Sequence, residues 1–116
     1  MMTILHNPRC GKSRNAVSFL ESLNLEFEVR NYQTEPLDVE EIRHLLKKLN
    51  MKAIDIVRTK EPLWKELPEN EKKDELSIIR SIVKHPILLE RPIIIQENKA
   101  IVGRTQEQLE SIKSFV

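Results

Sequence analysis

The sequence predicts an α/β fold, a four-stranded mixed sheet with a helical insertion between a β-α-β half and a β-β-α half. Three observations predict it. The N-terminal part alternates a short apolar strand, an amphipathic helix and a half-buried strand. The middle, from Met51 to His85, carries helical spacing and no strand pattern. The last part has two short apolar strands joined by a turn, followed by a capped helix.

Each element has its own signal. Met2-Thr3-Ile4-Leu5 reads as a strand, and His6-Asn7-Pro8-Arg9-Cys10-Gly11 as a loop. A helix starts near Lys12 and aligns Ala16, Val17, Leu20 and Leu23 on one face. From Glu26 to Asn31, apolar Phe27 and Val29 alternate with Glu28 and Arg30, as in a half-buried strand. Asp38 is an N-cap and Glu41 its capping-box partner, ahead of a stripe of Val39, Ile42, Leu45, Leu46 and Leu49. Ala53 to Val57 reads as a short helix, and Pro62-Leu63-Trp64 opens another turn. Leu76, Ile79, Ile82 and Val83 mark a further helix that Pro86 stops. Pro92 to Ile95 is an apolar strand, Glu97-Asn98-Lys99 a turn, and Ala100-Ile101-Val102 the returning strand. Thr105 caps a final helix with Gln108, burying Leu109, Ile112 and Phe115. This is the order of the thioredoxin-type fold. With no repeat or linker, one domain over residues 1–116 is expected.

Composition narrows the function. The 19 Lys and Arg against 18 Asp and Glu give no broad basic surface for nucleic acid. The longest apolar stretches, Pro86-Ile87-Leu88-Leu89 and Pro92-Ile93-Ile94-Ile95, are far too short to span a membrane. No basic region followed by an apolar run marks a secretory leader. A single cysteine excludes an internal disulfide, so a reducing cytoplasm is the expected location. No unexplained apolar face stands out, and a monomer is expected.

That cysteine, Cys10, lies just before a helix, where unpaired N–H groups and the positive end of the helix dipole favour thiolate. A pKa below ~8.5 is expected, and the same N–H groups can hold an oxyanion. Several motifs fail here. Gly11-Lys12-Ser13 resembles the end of a phosphate-binding loop, but His6 stands where the first glycine is needed. A cysteine phosphatase loop needs arginine at position 16, which is Ala16. His6 and Cys10 are too few ligands for a zinc site, with His44 and His85 distant in sequence. Ser13 replaces the second cysteine of a C-x-x-C centre, so any redox cycle borrows its second thiol from another molecule. Arg58, Arg91 and Arg104 supply permanent charge and planar donor forks suited to oxyanions. In a thioredoxin-type arrangement the Arg91-Pro92 step lies beside the cysteine loop.

The segment from His6 to Asn15, His-Asn-Pro-Arg-Cys-Gly-Lys-Ser-Arg-Asn, resembles the active-site loop of the glutaredoxin-coupled arsenate reductases, the ArsC type. Val57-Arg58-Thr59-Lys60-Glu61-Pro62, His85 to Ile93 and Gly103-Arg104 match in order, so the resemblance covers essentially the whole chain. It implies that Cys10 attacks arsenate, that glutathione attacks the adduct, and that glutaredoxin completes the reduction to arsenite. It implies oxyanion binding by Arg58, Arg91 and Arg104. Around them, Gly11, Lys12, Ser13 and Arg14 form the substrate loop, and His6, Asn7 and Pro92 support it. Glutathione is then a co-substrate, with no tightly bound cofactor or metal. One departure is Thr105 after Arg104, where better-known reductases often carry proline.

Two other readings fit the same residues. One is a thiol oxidoreductase of this type acting on another substrate, such as a glutathione mixed disulfide. The other is a binding module: Spx-type transcription regulators share the fold and an Arg-Pro block and bind RNA polymerase. Many of those carry C-x-x-C, which Ser13 removes here.

Overall fold

The computed structural model describes residues 2–114. Two compact units emerge, one built from the segments up to Glu35 and from Arg91 onward, the other from Pro36–Glu90. No helix among the described residues is long and apolar enough to cross a membrane.

The first unit holds the sheet. Its strands are β1 (Met2–His6), β2 (Phe27–Asn31), β3 (Ile93–Gln96) and β4 (Lys99–Val102), in the order β2-β1-β3-β4. β1 runs parallel to β2 and antiparallel to β3, and β3 and β4 form the hairpin. Its helices are α1 (Gly11–Ser22) and α5 (Gln106–Glu110), the latter continuing as a 3-10 turn through Ser114. Met2 and Ile4 of β1, Ile94 of β3, Ala16 and Leu20 of α1, and Leu109 and Ile112 make one buried cluster. Each large aliphatic side chain buried there contributes about 1.5–3 kcal/mol. The predicted capping box at Thr105 and Gln108 is present: Gln108 N–H donates to Thr105 Oγ1 at 3.1 Å, and Thr105 N–H to Gln108 Oε1 at 3.0 Å. Phe115 lies outside the described residues.

The predicted half-burial of β2 holds for Phe27 and fails for Val29, which is 51% exposed. β2 is the edge strand, and packing of this face onto the helix cluster ends at Phe27. The flanking charges of Glu28 and Arg30 discourage edge-to-edge pairing there. α1 begins one residue earlier than the sequence spacing suggests, with Cys10 itself as N-cap. Its buried side is Ser13, Ala16 and Leu20, while Val17 is half-buried and Leu23 is the C-cap.

The second unit is helical. It holds α2 (Val39–Leu49), α3 (Pro62–Glu66) and α4 (Glu75–Lys84), with 3-10 turns at Ala53–Ile56, Glu69–Glu71 and Pro86–Leu88. The Asp38–Glu41 capping box starts α2, and Asn50 ends it in the left-handed region at φ 57°. Asp74, unremarked in the sequence, caps α4 by accepting from Ser77 N–H at 2.8 Å. The middle segment is not wholly without extended structure. Val57 and Leu89 form an antiparallel bridge, closed by Arg58 N–H to Leu88 O and Glu90 N–H to Ile56 O, both 2.8 Å.

The strand registers set up the end of the sheet. The β1–β2 ladder ends on the pair His6–Asn31, and Asn7 and Tyr32 directly follow those strands. The β1–β3 ladder ends on Leu5–Ile93, with Arg91 two residues before β3. Ile93 pairs with Val102, and Gly103 N–H donates to Pro92 O at 2.9 Å. Tyr32, Asn7, Arg91 and Arg104 thus lie in the segments just beyond one end of the sheet. Gly103 packs closely against two aliphatic side chains. A Cβ there would meet Leu109 Cδ2 at 3.0 Å and Ile94 Cδ1 at 3.1 Å. Gly103→Ala is expected to cost about 1–3 kcal/mol of stability, as overpacking does, read from the urea midpoint.

Candidate active site

The loop between β1 and α1 is shaped by Asn7. Its carbonyl accepts from Cys10 N–H and its side-chain Oδ1 from Arg9 N–H, both at 3.0 Å. Arg14 Nη1 donates to Pro8 O at 2.9 Å, tying the first turn of α1 back to the loop. Beneath the loop sits Ser13, fully buried. Its Oγ accepts from Asn7 N–H at 3.0 Å and lies 2.6 Å from His6 Nδ1. Burial and the nearby Arg14 charge lower the His6 pKa from its ordinary 6.5, favouring the neutral ring. Hydrogen-bond accounting then assigns the Ser13 O–H as donor to Nδ1, with the ring proton on Nε2.

Cys10 is half-buried at the helix start. Burial pushes its thiol up. The Ser13 backbone N–H, the Arg91 guanidinium and the Lys12 backbone N–H act in the other direction, and together they leave the pKa below its ordinary 9.0. The side chain closes no capping hydrogen bond, so these groups act on the sulfur mainly as oriented charge and dipole. The Arg91 charge favours the Cys10 thiolate, while its Nε and Nη1 are buried without a hydrogen-bond partner.

Arg104 Nη1 donates to Arg91 O at 3.1 Å, and Arg104 N–H donates to Gln108 Oε1 at 2.9 Å. The Arg91-Pro92 bond is cis, and Pro92 is buried. Gly11, Lys12 and Arg14 are exposed on the first turn of α1. The first unit therefore brings together Cys10, His6, Asn7, Gly11, Lys12, Ser13, Arg14, Arg91, Pro92 and Arg104. Arg58 belongs to the second unit. There its Nη1 meets Glu61 Oε2 at 3.1 Å and its Nε meets Glu90 Oε1 at 3.8 Å.

Tyr32, in the turn after β2, belongs to no sequence motif. It is 1% exposed, and burial raises its pKa against the opposing influence of Arg91, Gln33 and Asn7. The chain's one tyrosine directly follows β2, as Asn7 directly follows β1.

The chain is similar to known proteins over most of its length. The family model described as the ArsC family matches residues 5–112. An arsenate reductase from Neisseria meningitidis serogroup A is 42% identical over 111 residues, covering 94% of this chain and 95% of that protein. The solved arsenate reductase from Vibrio cholerae superposes with a TM-score of 0.89 at 33% identity, over 96% of each chain. The global transcriptional regulator Spx of Bacillus subtilis is 33% identical over 110 residues, covering 94% of this chain and 84% of that protein.

Two outcomes test the site. Ser13→Ala strands the Asn7 N–H and His6 Nδ1, and should lower the unfolding free energy by about 1–3 kcal/mol in urea titration. Alkylation of Cys10 by iodoacetamide should reach half its limiting rate below pH 9.0, because the folded protein favours thiolate. Arg91→Ala should move that midpoint upward, and an unmoved midpoint would remove Arg91 from the sulfur's environment.

Proposed function

The chain belongs to the ArsC family, and on that premise we propose that it reduces arsenate to arsenite with Cys10 as nucleophile and external thiols as reductant. The observation that carries the reading is a cysteine at a helix start whose thiolate is favoured by the Lys12 and Ser13 amides and the Arg91 charge.

In the proposed reaction the Cys10 thiolate attacks arsenic, an As–S bond forms, and one arsenate oxygen leaves as water. The Lys12 and Ser13 amides and the guanidiniums of Arg91 and Arg104 face the remaining oxygens and spread their charge. Arg58 is proposed as a third cation for the oxyanion, released from Glu61 and Glu90 when it binds. Glutathione then attacks the adduct, its sulfur displacing a second oxygen as water. A glutaredoxin thiolate attacks that glutathione sulfur, leaving the As–S electron pair on arsenic, and water then cleaves the bond to Cys10. Arsenic gains two electrons and leaves as arsenite, Cys10 is restored as thiolate, and the two donor thiols end as one mixed disulfide. No resident cofactor is needed, because the electrons come from sulfur. Ser13 supports the external donor, since a serine cannot resolve a bond to Cys10.

The Spx relative gives a second reading, a regulator that binds RNA polymerase. Polymerase recovered by pull-down from cell extract equally well with wild type and Cys10→Ser would favour it.

The test is arsenate-dependent NADPH oxidation with glutathione, glutaredoxin and glutathione reductase supplied. Wild type should turn over and folded Cys10→Ser should not. Arg91→Ala should lose on the order of 10²–10³ in rate, as for removal of one preorganised charge-stabilising donor. A folded wild-type protein without turnover would sink the proposal.

A further inference from the structure

We propose that Gln108 is a positioning residue, whose side-chain oxygen locks the turn from which Arg104 reaches the Arg91 carbonyl. The inference deepens the arsenate reductase reading and rests on it for the oxyanion that these two arginines would face.

Only Gly103, Arg104 and Thr105 lie between β4 and α5. A capping box needs one bond from the Gln108 side chain back to the Thr105 amide. Gln108 makes two bonds. Its Oε1 accepts from Thr105 N–H at 3.0 Å and from Arg104 N–H at 2.9 Å. An amide oxygen has two lone pairs, so both are spent on this turn. In return Gln108 N–H donates to Thr105 Oγ1 at 3.1 Å. The next residue, Leu109, donates its N–H to Thr105 O at 3.0 Å and is fully buried in the core cluster. The lock is thus fastened to the core on one side and to the Arg104 backbone on the other. An arginine side chain carries large rotamer freedom, and that of Arg104 is directed by its Nη1, which donates to Arg91 O at 3.1 Å. The adjoining residues tie the same two segments, Gly103 N–H donating to Pro92 O at 2.9 Å.

Thr105 shows why the second bond matters. Better-known reductases often carry proline at this position, whose ring holds φ at about −65 ± 15° and donates no N–H. Thr105 sits at φ −106°, outside that range. The turn is held here by side-chain bonding instead of by a ring, and Gln108 is the partner of both the Thr105 amide and its hydroxyl. A cap alone would order α5 and stop at Thr105. The bond to the Arg104 amide reaches one residue further, to the arginine itself.

Two substitutions of similar shape separate the lock from the cap. Gln108→Met keeps the side-chain length and removes the oxygen, so both bonds go. Thr105→Val removes the cap hydroxyl and keeps the Arg104 and Thr105 amides on Gln108. The readout is the sulfate concentration that half-protects Cys10 from iodoacetamide, sulfate being a tetrahedral oxyanion that thiols do not reduce. Gln108→Met should raise it roughly two- to tenfold, the size of one ordinary hydrogen bond. Thr105→Val should leave it at the wild-type value, and in an Arg104→Ala background Gln108→Met should add nothing. The proposal is overturned by wild-type protection in Gln108→Met, by an equal shift in Thr105→Val, or by an equal shift without Arg104. Amide exchange followed by NMR reads the lock directly. The Arg104 N–H should exchange faster in Gln108→Met and not in Thr105→Val, and an unchanged rate in Gln108→Met overturns the lock. Gln108→Asn, one methylene too short for both bonds, takes the place of Gln108→Met if that variant does not fold. Sulfate that fails to protect wild type removes the oxyanion reading, and the exchange rates then decide the lock by themselves. Wild type without arsenate turnover, but with both shifts as expected, removes the reductase reading and keeps the role of Gln108.

Discussion

β1 is paired on both sides, parallel to β2 and antiparallel to β3, and its register against each decides what stands beside the cysteine. A slip of one residue in either ladder would turn every side chain of the slipped strand to the other face of the sheet. The apolar pattern forbids the slip, because Met2, Ile4 and Ile94 would leave the cluster they share with α1 and α5. At the far ladder the lack of a side chain on Gly103 lets β4 close on Leu109 and Ile94. Core packing thus fixes the strands from whose ends Asn7, Tyr32, Arg91 and Arg104 emerge.

Cys10 lives between opposed demands. Partial burial disfavours its charge, while two helix amides and one guanidinium favour it more strongly. Ser13 links these demands mechanically. Its hydroxyl joins the last residue of β1 to the first turn of α1, so the amides near the sulfur are held by the same group that orients His6. Arg58 is organised differently, with its charge matched to two carboxylates of its own unit. Any anion recruiting it competes with those carboxylates, which Arg91 does not face in the same way.

What was legible in the sequence was local or periodic. The capping boxes at Asp38–Glu41 and Thr105–Gln108 rest on residues three apart, and they form as read. The reactive cysteine was legible because a lone thiol before a helix has a defined electrostatic setting. The exposure of Val29 was not, since an edge position follows from strand order and not from alternation. The ion pair of Arg58 with Glu90 and the burial of Tyr32 were hidden for the same reason: each depends on partners distant in the chain. The bridge between Val57 and Leu89 is too short to leave a strand pattern at all.

The first unit is discontinuous, with residues 36–90 intervening between its two segments. β1, α1 and β2 emerge together during synthesis, but β3 arrives only after that whole segment has been made. Long-range pairing of this kind forms slowly, because loop closure must be met before the contacts reward it. Until β3 docks, Cys10 has helix amides at most and no Arg91, and its thiol is closer to ordinary. The set of groups that lower the Cys10 thiol pKa is complete only once β3 has joined the sheet.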